Sequence, residues 1–160
     1  MLNFTVITIF PQMFASPLGH SILKRAQEKE LISVRLVDLR DYTVDKHRVT
    51  DDYPYGGGQG MVMKPEPLVA AIEDIRKQSA DARVVLLSPQ GKVFSQKTAA
   101  RLAREKEIVL VCGRYEGVDE RVKSYVDAEL SVGDYTLSGG EPAAALVIDA
   151  VARLVPGVLG

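Results

Sequence analysis

The sequence predicts an α/β fold in which a mostly parallel sheet carries helices on both faces. Strand-like and helix-like segments alternate along the whole chain, which is the pattern of strands joined by crossover helices. The chain has 160 residues, of which 46% are apolar and 26% charged, as in an ordinary globular domain with a full core. We therefore expect one domain that spans residues 1–160.

Five segments have the composition of strands, because β-branched and other apolar residues recur in short runs. In chain order they are residues 2–10, 34–39, 83–87, 107–112 and 128–132. Each of the last three runs directly into a segment that contains glycine. If these strands are parallel, the three glycine segments lie at the same edge of the sheet.

Helical periodicity predicts the segments between the strands. In chain order they are residues 22–30, 65–78, 95–105, a short helix at 118–126, and 141–155. The first begins near Ser16 or Ser21, prolines occupy the first turn of the second, and Ser95 is a suitable N-cap for the third. The last is apolar on nearly every side, so we expect it to be buried on more than one face, and Pro156-Gly157 ends it.

Composition excludes several classes of protein. No segment approaches the roughly 20 unbroken apolar residues of a membrane span, so we expect no membrane partner. A single cysteine, Cys112, excludes an intramolecular disulfide and is typical of a reducing compartment, which predicts a cytoplasmic protein. Neither His20 nor His47 has a partner at metal-ligand spacing, so no metal site is predicted. The net charge of −1 gives no general argument for nucleic acid.

The placement of glycine is the strongest functional signal. Glycine-containing loops at residues 88–91, 113–117 and 133–140 each follow an apolar run. Glycine just past a strand indicates backbone that turns tightly or lies close to a ligand, and open α/β sheets bind small molecules at this edge. Ordinary tight turns are the alternative. Neither a P-loop nor a dinucleotide fingerprint is present, which disfavours a nicotinamide enzyme.

The polar stretch at residues 40–63 is the second functional signal. It contains Asp51-Asp52-Tyr53-Pro54-Tyr55, followed by four glycines in five positions. Aromatic side chains beside flexible glycines can form a lid that stacks on a flat ring such as a nucleobase. A mobile surface loop is the alternative, and the residues alone leave both interpretations open.

Five motifs together resemble one known family. They are residues 7–14, 55–64, 87–91, 112–121 and 131–141. In this order, and covering the chain from end to end, they are similar to the TrmD family, the bacterial tRNA (guanine-N1)-methyltransferases. The resemblance implies the SPOUT class, an α/β domain whose C-terminal part forms a deep trefoil knot and which works as a homodimer.

The resemblance also implies the ligands and the residues that bind them. The methyl donor is expected to be S-adenosylmethionine, and the acceptor is expected to be N1 of guanosine at tRNA position 37, next to the anticodon. The positions that match the family's donor contacts are Leu86, Leu87, Ser88, Pro89, Gly113, Tyr115, Glu116, Val132, Gly133, Asp134, Tyr135, Thr136, Leu137, Gly139 and Gly140. The positions that match its segment near the target base are Tyr55, Gly56, Gly57, Gly58 and Gly60. Arg153 matches the family's active-site arginine, expected to offset negative charge on the guanine, and a role for magnesium is left open.

The chain departs from the family pattern in two places. Pro142-Ala143 stands where the family usually has Leu-Pro, which is expected to change a donor contact of that proline. The family also continues into a helical domain that carries the general-base aspartate, expected beyond Gly160. We therefore expect this chain to bind the donor but to have little methyl-transfer activity alone. The alternatives are a noncatalytic ligand- or RNA-binding module and a ribosomal RNA methyltransferase, and the motifs at residues 115–119 and 133–135 argue against the latter.

Overall fold

The computed structural model describes residues 1–52, 62–114 and 117–160. The strands are β1 (Leu2–Thr8), β2 (Ile32–Asp38), β3 (Asp51–Asp52), β4 (Val62–Met63), β5 (Arg83–Val93), β6 (Glu107–Cys112) and β7 (Ala128–Ser131). Five of them form a sheet in the order β2-β1-β6-β5-β7, and every neighbouring pair in it is parallel. β3 and β4 form a separate antiparallel pair. The predicted parallel sheet is confirmed.

The helices lie close to their predicted positions. They are α1 (Ala15–Leu18), α2 (Ser21–Glu28), α3 (Pro65–Gln78), α4 (Gln96–Leu102) and α5 (Glu141–Ala152), with short 3₁₀ turns at Pro11–Phe14, Leu39–Tyr42 and Glu120–Tyr125. The predicted bounds of α3 are confirmed. So is the N-cap of α4, because the Ser95 hydroxyl accepts a hydrogen bond of 3.3 Å from the backbone N–H of Thr98.

Three predicted helices differ from the structure by more than two residues at one end or in their type. The helix expected at residues 95–105 ends at Leu102, because its final turn tightens: the N–H of Glu105 donates to the carbonyl of Leu102 at 3.0 Å. The segment expected as a short α-helix at residues 118–126 is instead the 3₁₀ turn Glu120–Tyr125. The last helix, expected to reach Val155, ends at Ala152 because its final turn tightens: the N–H of Val155 donates to the carbonyl of Ala152 at 3.0 Å, an i→i+3 bond.

Apolar side chains cover the sheet on both faces. Alternate residues of β1 explain this, since Phe4 and Val6 pack in a cluster with α2, α4 and α5, whereas Ile7 packs in a second cluster with α3. Helices on both faces are therefore confirmed. Within α5, Val147 and Val151 are fully buried, as its apolar sequence predicts, while a stripe at Pro142, Leu146, Asp149 and Arg153 is exposed.

The segment at residues 88–91 does not simply follow a strand, as the sequence suggested. β5 runs on to Val93, and Leu87 and Lys92 both pair with Leu130 of β7. The four residues between them therefore bulge out of the ladder, which turns this part of the strand into a loop at the sheet edge. The registers place Cys112 of β6 beside Leu87, so the bulge and the loop after β6 are neighbours.

No helix among the described residues is long and apolar enough to cross a membrane.

Candidate ligand-binding site

A cavity of about 230 Å³ opens at the carboxyl edge of the sheet, where β5, β6 and β7 end. Its walls come from the bulge of β5, from the loop after β6, and from the loop that joins β7 to α5. The lining residues are Leu86 to Gln90, Gly113, Arg114, Gly117, Val118, Glu120, Lys123, Glu129 to Gly133, Tyr135 to Gly140, and Ala143. The three glycine-containing loops predicted to surround a ligand therefore border one cavity.

Close approach of two backbones explains the glycine at position 140. The N–H of Gly140 donates to the carbonyl of Gly113 at 2.8 Å. A Cβ atom on Gly140 would lie 2.9 Å from the Cα of Cys112 and 3.0 Å from the nitrogen of Gly113. Any side chain here would push the loop after β6 away from the start of α5, and the two would no longer share a wall of the cavity.

The bulge of β5 needs glycine for a similar reason. A Cβ atom on Gly91 would lie 2.5 Å from the carbonyl carbon of Glu129 and 2.6 Å from the nitrogen of Leu130, both backbone atoms of β7. Gly91 lets the chain return against β7 after it has bulged outward. The glycine of this motif therefore shapes the wall without itself lining the cavity.

The loop after β7 holds its shape through hydrogen bonds of its own. The Ser131 hydroxyl donates to the carbonyl of Gly133 at 2.9 Å, and the Tyr135 hydroxyl donates to the carbonyl of Val132 at 3.0 Å. A Cβ atom on Gly133 would clash with the ring of Tyr135. The tyrosine ring therefore folds back over its own loop, and its side chain remains 55% exposed beside the cavity.

Charged side chains meet in one group on the wall formed by the 3₁₀ turn Glu120–Tyr125. Lys123 Nζ lies 3.0 Å from Glu120 Oε1, 3.7 Å from Glu129 Oε1 and 3.3 Å from Gln90 Oε1. The hydrogen bond to Glu120, together with the charge of Glu129, raises the pKa of Lys123 above its ordinary value. This lysine therefore keeps its proton at neutral pH and neutralises the carboxylates around it.

A buried ion pair lies against the part of the wall that Gly139 forms. Arg114 Nε donates to Glu141 Oε1 at 2.8 Å, and the side chain of Glu141 is only 1% exposed. Cys112 is buried beside this pair, and burial raises the pKa of its thiol well above the ordinary value. A thiol that keeps its proton is not a nucleophile, so we assign this buried cysteine a structural role.

The structure brings most of the predicted donor contacts together. Of the described members of that set, all except Asp134 line the cavity. Tyr115 and Glu116, and the predicted substrate segment at Tyr55, Gly56, Gly57, Gly58 and Gly60, lie outside the described residues.

Arg153 is the one predicted catalytic residue, and it does not reach the cavity within one chain. It is exposed at the C-cap of α5, whereas the cavity lies at the N-terminal end of that helix. Arg153 lies twelve positions after Glu141 along the helix, a distance of about 18 Å at 1.5 Å per residue. Its assigned role stays a prediction.

Several residues that line the cavity were not among those predicted from the sequence. Gln90, Arg114 and Gly117 directly adjoin predicted positions, so their placement could have been inferred from the loops. Lys123 and Glu129 could not, because only the packing of the 3₁₀ turn against β7 brings them to the cavity. The described residues contain no group of three or more His, Cys, Asp or Glu side chains that could hold a metal.

The fold and the site define a class of protein: an α/β domain with a cavity among close-packed glycine loops at the carboxyl edge of its parallel sheet. Residues 2–160 match the family model described as tRNA (Guanine-1)-methyltransferase TrmD. The chain therefore belongs to the TrmD family, as its motifs indicated.

Curated relatives and a solved structure agree with this assignment. The tRNA (guanine-N(1)-)-methyltransferase of Dictyoglomus turgidum is 56% identical over 160 residues, which are 100% of this chain and 64% of the relative. That of Myxococcus xanthus is 61% identical over 156 residues, 97% of this chain and 63% of the relative. The crystal structure of tRNA (m1G37) methyltransferase from Aquifex aeolicus matches with a TM-score of 0.92 and 44% identity, covering 99% of this chain and 72% of that one. The chain thus spans a little under two thirds of the length of these two curated relatives.

Proposed function

We propose that the chain binds S-adenosylmethionine in the cavity at the carboxyl edge and takes part in transferring its methyl group to N1 of guanosine at tRNA position 37. The observation that carries this proposal is the convergence of the three glycine-containing loops on one cavity. The names of the relatives, which are tRNA (guanine-N(1)-)-methyltransferases, support the reaction.

The chemistry of the cavity wall fits such a donor. Leu87, Val132 and Leu137 offer apolar surface for a flat base, and Gly113 and Gly140 line the cavity without side chains. Lys123 and its carboxylate neighbours offer charges of both signs for an amino-acid group. When bound, S-adenosylmethionine supplies a methyl group on a positively charged sulfur, which is already an activated leaving group.

The chain's main tasks are to position the reactants and to control charge. As N1 of guanine attacks the methyl carbon, the N1–C bond forms, the C–S bond breaks with its electron pair moving to sulfur, and the N1 proton must pass to a base. Glu120 and Glu129, the described carboxylates that line the cavity, both contact Lys123. We therefore propose that the base is the aspartate that the family carries elsewhere, and that Arg153 offsets the negative charge on the guanine.

We also propose that the chain forms a homodimer and that its C-terminal part is knotted. Phe10, Met13 and Leu146 are large apolar side chains that are exposed. Met13 lies on the 3₁₀ turn Pro11–Phe14 and Phe10 directly precedes it, and this turn contacts α5, which carries Leu146. Leu146 and Arg153 are seven residues apart and so share one face of α5, which would carry Arg153 into an interface.

The path of the chain after β7 supports the proposed knot. From this edge strand the chain returns to the end of β6, where the N–H of Gly140 donates to the carbonyl of Gly113. A knot requires such a return, because the C-terminal segment must pass through a loop formed by the preceding chain. We place the reaction in the cytoplasm, where a single buried thiol is stable.

Calorimetric titration with S-adenosylhomocysteine tests the donor site directly. We expect saturable binding to the wild-type chain, with ATP as a nucleotide control that binds much more weakly. A folded sample, verified by circular dichroism, that binds neither S-adenosylmethionine nor S-adenosylhomocysteine would contradict the proposal.

The variant Arg153→Ala tests the second part of the proposal, the role of the chain in methyl transfer. In single-turnover assays with radiolabelled donor, we expect methyl transfer to a tRNA with guanosine 37, however slow, to be lost. Donor affinity should remain within about twofold of wild type, because the side chain lies outside the cavity of its own chain. A tRNA with adenosine at position 37 is the matched substrate control. Unchanged transfer in the variant would remove Arg153 from the reaction.

A further inference from the structure

The motif at residues 7–14 lies outside the donor-binding loops, yet three chain segments, including this one, meet at the buried carboxylate of Glu141. We propose that Glu141 and Arg114 are positioning residues that hold the two glycine loops of the donor cavity in register, and that the N-terminal motif completes their support. The inference rests on the proposed function, because its main readout is donor affinity.

Glu141 uses both carboxylate oxygens. Oε1 accepts the hydrogen bond from Arg114 Nε at 2.8 Å, and Oε2 accepts one from the Thr8 hydroxyl at 2.7 Å. Thr8 is fully buried at the carboxyl end of β1, an interior strand of the sheet, and its hydroxyl oxygen in turn accepts from the N–H of Phe10 at 2.9 Å. The first residue of α5 is therefore tied to the central strands through one buried carboxylate.

Arg114 is held from the other side by the N-terminal motif. Its guanidinium lies over the ring of Phe10, with Cζ 4.4 Å from the ring centroid, and its NH2 nitrogen lies 3.2 Å from the sulfur of Met13. The ring of Phe10 also lies near a second guanidinium, that of Arg40, at 5.5 Å. A cation stacked on an aromatic face and bonded to a carboxylate has little freedom to turn.

The pair fixes one wall of the cavity because Arg114 forms part of that wall and Glu141 lies directly behind it. Arg114 lines the cavity and forms an isolated antiparallel bridge with Gly139. A Cβ atom on Gly139 would lie 2.5 Å from Arg114 Nε and 2.7 Å from Glu141 Oε1, so the glycine loop is packed directly on the ion pair. A shift of the guanidinium or the carboxylate therefore moves the wall that faces the ligand.

Removing one partner of a buried pair leaves the other charge uncompensated, whereas removing both avoids that penalty. Comparing the single and double variants therefore distinguishes a role in positioning the cavity loops from a role in the stability of the fold alone. Glu141→Gln and Arg114→Gln should each lower the thermal midpoint and weaken binding of S-adenosylhomocysteine at least tenfold. The double variant should recover much of the lost midpoint but not the affinity, because no charge-assisted bond remains to hold the loops.

Asp127→Asn is the matched control. Asp127 also pairs with an arginine, Arg76, at 2.8 Å, but at the amino end of the strands and away from the cavity. It should lower the midpoint and leave donor affinity within twofold of wild type. Phe10→Leu provides a variant that keeps both charges and changes only a partly exposed ring, and it should weaken donor binding about 2- to 5-fold, the worth of a cation–π contact.

The inference fails if the folded variants bind donor as the wild type does, or if affinity returns together with the midpoint in the double variant. It also fails if Phe10→Leu is folded and binds normally while the charge variants do not fold. Hydrogen exchange at the Gly140 amide, which donates to Gly113, gives a readout that needs no ligand, and Glu141→Gln should speed it at least tenfold. A wild-type chain that bound no donor would contradict the proposed function, while the exchange result would still decide the role of Glu141.

Discussion

Two arginine–carboxylate pairs lie at opposite ends of the parallel sheet, and they differ in burial. Arg114–Glu141, at the carboxyl edge, has side chains that are 17% and 1% exposed, whereas those of Arg76–Asp127, at the amino edge, are 35% and 32% exposed. Both have N–O distances of 2.8 Å. The difference therefore lies in their surroundings and not in the geometry of the bond.

Those surroundings indicate different roles. The pair at the amino edge joins the end of α3 to the start of β7, and Asp127 also accepts a hydrogen bond from the N–H of Val84 at 2.8 Å. The Arg76–Asp127 pair therefore links elements that apolar packing in the core already holds in place. The pair at the carboxyl edge lies among the glycine loops that line the cavity, where a buried charge and close backbone packing hold these loops together.

The largest effect is expected where backbone meets backbone at the carboxyl edge. Gly140→Ala places a methyl group 2.9 Å from the Cα of Cys112, in a position that no rotamer can relieve. We expect the free energy of unfolding to fall by about 3 kcal/mol, at the upper end of the usual overpacking range. Urea denaturation at neutral pH measures it.

Gly113→Ala is the matched control for that substitution. It adds the same methyl group to the opposing loop, but the nearest atoms are Val118 Cγ2 at 3.4 Å and the carbonyl oxygen of Leu87 at 3.5 Å, which are ordinary contacts. A smaller loss of stability, below about 1 kcal/mol, is expected from contacts of this length. If Gly113→Ala were the more destabilising of the two, close packing would not explain Gly140.

The features of the carboxyl edge differ in whether the sequence could predict them. Alternating strands and helices predicted the parallel sheet, and glycine after strands predicted the loops that line the cavity, because both signals are local. The partnership of Thr8 with Glu141 spans 133 residues, and that of Arg114 with Glu141 spans 27, so no periodicity could indicate either. The motifs contained these residues, but only the fold reveals that they touch.

The bulge of β5 illustrates a different limit. Glycine and proline at residues 88–91 predicted a turn after a strand, whereas the chain resumes the same strand at Lys92. Leu87 and Lys92 both pair with Leu130 of β7, which lies about 40 residues away in the sequence. Local residue propensities cannot predict such a long-range pairing. For Arg153, in contrast, helix length alone indicates the separation from Glu141, since both lie at the ends of the same predicted helix.

A smaller effect is expected at the amino edge. Asp127→Ala removes the acceptor of the Val84 N–H as well as the partner of Arg76, and it should lower the free energy of unfolding by about 1 to 2 kcal/mol. Arg76→Gln removes only the ion pair, whose members are about a third exposed, so it should cost less than about 1 kcal/mol. Equal losses in the two variants would contradict the view that the backbone hydrogen bond is the main contribution of Asp127.

The smallest expected effect is a pH dependence at the carboxyl edge. Asp119, which follows the cavity loop, is buried, and its carboxylate accepts hydrogen bonds from the backbone N–H of Arg121 and from its guanidinium at 2.8 to 2.9 Å. The bond to that side chain, with the backbone bond and the positive charge, holds the pKa of Asp119 below its ordinary value. A carboxyl group whose pKa is lower in the folded state stabilises the fold above its unfolded pKa, about 3.9, and this contribution disappears as pH falls through the folded value.

Asp119→Asn isolates this charge, because an amide oxygen can still accept the hydrogen bond from the backbone of Arg121. At pH 7 we expect the variant to be less stable than the wild type by less than about 1 kcal/mol, since the guanidinium is largely exposed and its attraction is screened. Chemical denaturation at a series of pH values should show this difference shrinking as the pH falls below 4. A difference that stayed constant down to pH 2 would mean that Asp119 stabilises the loop through its shape and hydrogen bonds alone. Of these two ion pairs among the described residues, only the buried Arg114–Glu141 pair would then remain as one whose charges we infer to stabilise the cavity loops.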